Sequence, residues 1–167
     1  MQISMLHVDA RHPVLDQLIQ LCLYDLSGLH DHDIGRNGRF TDGELDAFPQ
    51  GSGQHAYLIE HNQLPIGFML VGRASRVHQT FQGYSAAGIF VLRRYRRKGC
   101  ARAAALQVLA EHPGVWEVAT AGVNVPAIAF WRNVAHTFTD GDYSEVWYED
   151  GLWRGPVQTF VSPELPS

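Results

Sequence analysis

Residues 93–105 read RRYRRKGCARAAA, and the rest of the chain is best understood outward from them. Five of the first six residues are cationic, the lone Gly99 follows, and alanine then takes over. The chain has 167 residues and 13 Lys+Arg, and six of those fall between positions 93 and 102 although the formal net charge is -4. Just upstream, 85–93 (SAAGIFVLR) is apolar and β-branched enough for a buried strand. Just downstream, Ala105, Leu106 and Leu109 continue a helical pattern that stops near His112, Pro113 and Gly114. The cations therefore sit where a buried strand hands over to a helix. A helix start offers unpaired N–H groups and a partial positive charge, which together bind phosphate. Gly99 removes a side chain that would block close approach, Cys100 and Ala101 are small, and Arg96, Arg97, Lys98 and Arg102 add mobile charge. The device suits a pyrophosphate; the plain alternative is a solvated basic turn.

The remaining pattern predicts one domain over 1–167. Residues 3–8 alternate as a first strand, and Pro13 opens a helix with Leu15, Leu18, Ile19, Cys22 and Leu26 on one face. From 28 to 53 there are six glycines and many polar residues, with a short helix expected after Thr41, where TDGE reads as a capping box. Strands follow at 55–61 and 65–73 around a tight NQLP turn, and at 115–123. Residues 124–134 read as a helix with Asn124 as N-cap and Pro126 in the first turn. SEVWYE and PVQTFV close the chain as strands, antiparallel to each other. The order is that of an α/β (α+β) fold with a mixed sheet.

Composition narrows the function classes. An apolar fraction of 46% with 18% charged residues describes a globular chain. No apolar run approaches the roughly 18 residues of a membrane helix, and MQISMLHVDA carries neither basic leader nor cleavage pattern. Cys22 and Cys100 are too few for a disulfide framework or a metal site, which suits a reducing cytoplasm. Net acidity argues against nucleic acid as partner, so the basic cluster is a local device.

The pair VLRRYRRKGCA (91–101) and NVPAIAFW (124–131), one strand apart, resembles the GNAT superfamily of acyl-CoA N-acyltransferases. That family has a strand ending in V, then R/Q-x-x-G-x-G/A opening a helix, here Val91 and 96–101. Its later helix carries N-x-x-A-x-x-F/L-Y, here Asn124, Ala127, Phe130 and Trp131. PGVWEV before an N-x-x-A-x-x-F-W helix is similar to a subgroup of predicted acetyltransferases. The resemblance implies a mixed, mostly antiparallel central sheet with helices on both faces. Within it, the strand ending at Val91 splays from its parallel neighbour. It implies that backbone N–H groups from about Arg97 to Arg102 hold the CoA pyrophosphate. Pantetheine amides would pair with strand edges otherwise left orphaned, and an N–H near Phe90 or Val91 would receive the thioester oxygen as an oxyanion. Asn124 and Phe130 would line the pantetheine channel.

The sequence also departs from the family. A tyrosine that often protonates the leaving sulfur is replaced by Trp131, whose indole N–H cannot hand over a proton at neutral pH. Trp131 is therefore expected to shape the channel. The glutamate that tends to serve the subgroup as base is replaced by Gly88. His55, Glu60 and His136 are substitute bases, and an ordered water is another. Cys100 is read as a small residue, since direct transfer needs no thiol nucleophile.

The segment 29–44, LHDHDIGRNGRFTDGE, nearly fits a calcium loop from Asp33 through Asn37 and Gly38 to Glu44, but Gly35 supplies nothing at the third ligand position. No metal is expected. The resemblance makes this excursion the acceptor-side wall, with Tyr24, His30, Asp31 and Asp33 meeting the substrate. The expected activity is direct transfer of an acetyl group from acetyl-CoA to a primary amine, carried by a small molecule or peptide. A non-catalytic acyl-CoA-binding module is the alternative. No nucleic-acid or membrane partner is expected, and oligomeric state stays open, with a homodimer as one option.

Overall fold

The computed structural model describes residues 1–41, 48, 53–151 and 153–164. Its elements in chain order are strand β1 (Ser4–Val8), helix α1 (Pro13–Leu26), strands β2 (His55–His61), β3 (Leu64–Gly72) and β4 (Tyr84–Val91), helix α2 (Cys100–Glu111), strand β5 (Gly114–Ala119), helix α3 (Val125–Thr139), and strands β6 (Ser144–Glu149) and β7 (Arg154–Ser162). The strands follow the hydrogen-bonded order β1-β2-β3-β4-β5-β7-β6. β1–β2, β5–β7 and β6–β7 are antiparallel, and β4–β5 is parallel. This is the mixed, mostly antiparallel sheet expected. The short helix expected after Thr41 falls on residues outside those described.

Two compact units divide the chain, Met1–Leu70 with Ala87–Ala101, and Val71–Ala86 with Arg102–Ser167. In the first, α1 starts on Pro13, whose missing N–H has no partner to lose. It turns Leu15, Leu18, Ile19, Cys22 and Leu23 inward, onto a core with Val8, Phe48, Ala56, Leu58, Phe68, Leu70 and Phe90. β2 and β3 join through Asn62 and Gln63, both at positive φ (51° and 64°), as the twist of a two-residue hairpin requires. β3 is buried from Ile66 to Gly72, so its near-continuous apolar run reflects cover on both faces.

In the second unit the buried apolar residues include Ala104, Ala105, Val108 and Leu109 of α2, Trp116 and Val118 of β5, Val134 of α3 and Phe160 of β7. The Trp116 indole N–H donates to the His112 carbonyl at 2.9 Å, and Tyr84 stacks on Trp116 with centroids 5.4 Å apart. β5 is shorter than the predicted 115–123. The N–H groups of Thr120 and Gly122 still reach the carbonyls of Pro156 and Arg154, in register with the pairs before them, and Gly155 lies between those two partners. There φ is +146°, and an added Cβ would lie 2.2 Å from the Thr120 carbonyl oxygen.

Candidate functional site

The basic junction belongs to the first unit. The N–H of Leu92 donates to the Ile66 carbonyl at 2.8 Å, closing β4 against β3, and a single 3-10 turn follows at Arg93–Tyr95. Arg96 is extended, Arg97 is left-handed (φ 58°), Gly99 is left-handed (φ 79°), and α2 begins at Cys100. Gly99 leads directly into the start of α2, whose first N–H groups have no acceptor within the helix. An added Cβ on Gly99 meets no protein atom within 4 Å, so among protein atoms it is the backbone angle that requires glycine here. Cys100 is buried and Ala101 half-buried, consistent with packing roles.

The cations at this junction are not alike. Asp25, in the last turn of α1, accepts Arg93 Nη2 at 2.7 Å and Nε at 3.1 Å on one oxygen, and Arg96 Nη2 on the other. Arg96 Nε donates to the Val91 carbonyl at 2.7 Å, and its guanidinium lies 5.3 Å from the Phe90 ring centroid. Burial alone would raise the Asp25 pKa. Hydrogen bonds from Arg96 and Arg93, with their charge, outweigh it and hold the carboxyl below its ordinary value. Arg102, in the second unit, donates to Asn133 Oδ1 at 3.2 Å and Thr137 Oγ1 at 3.1 Å. Arg96 and Arg102 are thus anchored, where mobile charge was expected. Arg97 and Lys98 are exposed. Sequence reading missed Asp25 altogether.

β4 presents its backbone in a fixed sense. The Phe90 carbonyl lies against Gly67 of β3, where an added Cβ would come within 2.1 Å of it. With Phe90 C=O and Leu92 N–H both on the β3 side, strand alternation turns the N–H and C=O of Val91 away from β3. Parallel pairing of β4 with β5 joins Tyr84 to Trp116 and Ser85 to Glu117, and the register goes no further among the described residues.

In the second unit, Asn124 caps α3 as predicted, its Oδ1 accepting the Ala127 N–H at 3.2 Å. Ile128, Trp131, Val134 and Ala135 form the buried stripe, with Ala127 and Phe130 on its half-buried shoulder. The ring of Phe130 meets Trp131 edge-on at 5.1 Å. Glu117, which sequence reading also missed, is buried on β5, and its signal was a lone acid inside the apolar run VWEV.

The substitute bases fall in separate places. His55 and Glu60 are five residues apart on β2 and so point to opposite faces of the sheet. His55 lies 5.6 Å from the ring of His7, and Glu60 faces Ser4 across the β1–β2 register. His136 is exposed in the last turn of α3, where a helix end favours a cation. Gly88, half-buried on β4, brings no proton-transfer group.

Tyr24, His30, Asp31 and Asp33 lie in the first unit. The segment beyond α1 is pinned back on it, because Gln20 donates to the Phe40 carbonyl at 3.1 Å and accepts the Phe40 N–H at 2.9 Å. Arg39 pairs with Asp16 at 2.5 Å, and Ile34 bridges Phe40. Tyr24 packs near Phe40 (6.4 Å), His30 near His32 (5.5 Å), and Asp31 and Asp33 are exposed. Asn37 Oδ1, a ligand position in the calcium reading, accepts the Arg39 N–H at 3.1 Å, while Glu44 lies outside the described residues.

A sequence profile of the acetyltransferase (GNAT) family matches residues 24–135. A search of curated proteins finds no match. Solved structures of the same fold include a histone acetyltransferase HPA2 and related acetyltransferase from Corynebacterium glutamicum, 12% identical with a TM-score of 0.66 over 100% of this chain and 99% of that one. The ribosomal-protein-S18-alanine N-acetyltransferase of Escherichia coli is 12% identical, TM-score 0.59, over 99% and 97% of the two chains. A GNAT family acetyltransferase from Elizabethkingia anophelis, solved with acetyl-CoA bound, is 14% identical, TM-score 0.56, over 98% of each.

Proposed function

The chain belongs to the acetyltransferase (GNAT) family, and on that premise we propose that 1–167 act as one acetyltransferase domain moving an acetyl group from acetyl-CoA to a primary amine. The observation that carries this reading is the junction at 96–100, where left-handed Arg97 and Gly99 lead into the start of α2 with Arg97 and Lys98 exposed beside them. These groups suit a pyrophosphate: oriented N–H donors first, mobile charge second.

The chemistry is direct transfer. A neutral amine attacks the thioester carbonyl, the C–N bond forms as a tetrahedral oxyanion develops, and collapse breaks the C–S bond to release CoA thiolate. The amine proton passes to a base or to water. Because the N–H of Val91 turns away from β3, it is favoured over Phe90 as the oxyanion donor. A thiol pKa near about 8.5 lets the thiolate leave without a protein acid, which fits tryptophan at position 131. Asn124, Phe130 and Trp131 are assigned to the pantetheine arm on the family pattern.

A second reading, a non-catalytic acyl-CoA binder, is favoured by Gly88 and Trp131 standing where proton handlers are usual. Thermal shift against CoA thioesters tests both readings for binding. Ligand at 100 times its Kd adds about 2.7 kcal/mol, raising Tm by roughly 5–10 °C. CoA release over a panel of amines then separates the two. Binding without release for any amine leaves the binder, and no shift with any CoA thioester rejects both.

A further inference from the structure

We propose that Asp25 is a positioning residue for the acyl-pantetheine arm, acting through Arg96 on the Val91 end of β4. The inference rests on the acetyl-CoA reading above. Val91 turns both its backbone groups away from β3. Its carbonyl is the last on that edge of β4, and the side chain that satisfies it is Arg96, at 2.7 Å through Nε. A guanidinium has several donors in one rigid plane. With Nε on Val91 and Nη2 on Asp25, the Arg96 plane is held from two sides, and the Phe90 ring supports its face. Arg93 fills the other oxygen of Asp25, which completes the carboxylate and keeps it from turning.

The consequence is a division of labour inside one basic cluster. Arg93 and Arg96 brace the strand end, while Arg97 and Lys98 remain for the phosphates. The carboxylate side chain is only 17% exposed, whereas Arg93 is 72% and Arg96 40% exposed, so the shielded member of the cluster is the acid that both arginines converge on. Loss of the brace leaves the Val91 carbonyl without its charged donor and loosens the Val91–Leu92 peptide, which shares the Val91 Cα with the neighbouring peptide that carries the Val91 N–H.

Calorimetry with two ligands tests the proposal. One is acetyl-CoA; the other is its phosphoadenosine diphosphate half, which keeps the phosphates and lacks the acyl-pantetheine arm. Asp25→Asn and Arg96→Ala are each expected to weaken acetyl-CoA about tenfold and to leave the half-ligand within about twofold. The double variant should be no worse than the poorer single variant, and Asp25→Glu should recover most of the affinity. Arg97→Ala, by contrast, should weaken both ligands and reduce the salt dependence of binding. Thermal unfolding of each variant checks that it is folded, and Arg96→Lys replaces any variant that is not. Equal weakening of both ligands by Arg96→Ala would make Arg96 a phosphate contact and overturn the proposal. So would unchanged or tighter acetyl-CoA binding by Asp25→Asn. Wild-type protein that binds neither ligand rejects the acetyl-CoA reading itself, and the proposal with it.

Discussion

Glu117 Oε2 accepts the Ser75 hydroxyl at 2.6 Å, and Oε1 accepts the Arg76 N–H at 3.1 Å. Ser75 Oγ in turn accepts the N–H groups of Val77 (3.0 Å) and His78 (2.8 Å), so one buried carboxylate organises the start of the β3–β4 connection. Glu117 is also the partner of Ser85 in the last parallel pair of β4 and β5. Removing it orphans a hydroxyl and an amide near the core. Glu117→Ala should therefore cost about 2–4 kcal/mol in denaturant unfolding, and Ser75→Ala about 1–2. A cost below about 0.5 kcal/mol for Glu117→Ala, the scale of an inert surface change, would mean that the carboxylate does not hold this connection.

Gly99 separates backbone strain from ligand repulsion. Its φ of +79° is costly for any residue with a Cβ, although the space around it is open to protein atoms. Gly99→Ala should lose about 1–2 kcal/mol of stability with acetyl-CoA binding weakened modestly. Gly99→Glu should lose similar stability and abolish binding, because a carboxylate would stand among the phosphates. Acetyl-CoA affinity within about threefold of wild type in Gly99→Glu would move the phosphate site elsewhere, a change under about 0.7 kcal/mol.

What the sequence made legible was local. The apolar face of α1, the Asn124 cap and the two-residue turn at Asn62 depend on residues within a few positions of one another. What stayed hidden was charge partnership across the fold. Asp25 lies 68 and 71 positions from its arginines, and Ser75 lies 42 from Glu117, distances that no periodicity encodes. The same limit explains why Arg96 and Arg102 read as mobile: the side chains that anchor them, Asp25 for one and Asn133 and Thr137 for the other, lie on helices α1 and α3. The end of β5 was misplaced for a related reason, since the close backbone approach just beyond it is to Gly155, on another strand.

Acid should destabilise the protein through two carboxylates. The Asp25 pKa is lowered, burial being outweighed by Arg96 and Arg93. The Glu145 pKa is lowered first by the hydrogen bond from Arg132, against burial, with help from Gln158. A depressed folded-state pKa gives stability that is fully present above the unfolded value, about 4, and is lost as pH falls through the lower folded value. Tm should thus hold from neutral pH to about pH 5 and fall steadily below about pH 4. Calorimetry on Asp25→Asn and Glu145→Gln should show a shallower acid decline than wild type. Parallel declines would assign acid unfolding to other groups.

Trp131 is 6% exposed, with Phe130 packed edge-on against it, so its indole fills space. Trp131→Phe is expected to keep activity within about fivefold, roughly 1 kcal/mol, with no limb lost from the pH–rate profile. Trp131→Tyr should match or exceed wild-type turnover by restoring a hydroxyl. A drop of about a thousandfold, some 4 kcal/mol, in Trp131→Phe at unchanged acetyl-CoA affinity would make the indole part of the chemistry.

The acceptor prediction turns on the segment beyond α1. Gln20 and Asp16 pin Phe40 and Arg39, so the exposed Asp31 and Asp33 are carried on an anchored loop. A primary amine reaches the enzyme mostly protonated, and two carboxylates on such a loop would concentrate it near the thioester. The same charges would oppose CoA binding if they faced the phosphates, so they are expected to serve the amine alone. Asp31→Asn combined with Asp33→Asn should raise KM for a cationic acceptor about tenfold, or about 1.4 kcal/mol. The KM for acetyl-CoA should stay within about twofold, a change below roughly 0.5 kcal/mol. Because both groups are exposed, the difference should shrink as ionic strength rises toward about 1 M, where the screening length falls to about 3 Å. Steady-state kinetics at two salt concentrations, with any amine found by CoA release, measures all three quantities. An amine KM unmoved in the double variant would make these carboxylates ordinary solvated loop residues, and a calcium-dependent rise in wild-type Tm would reassign the loop to a cation.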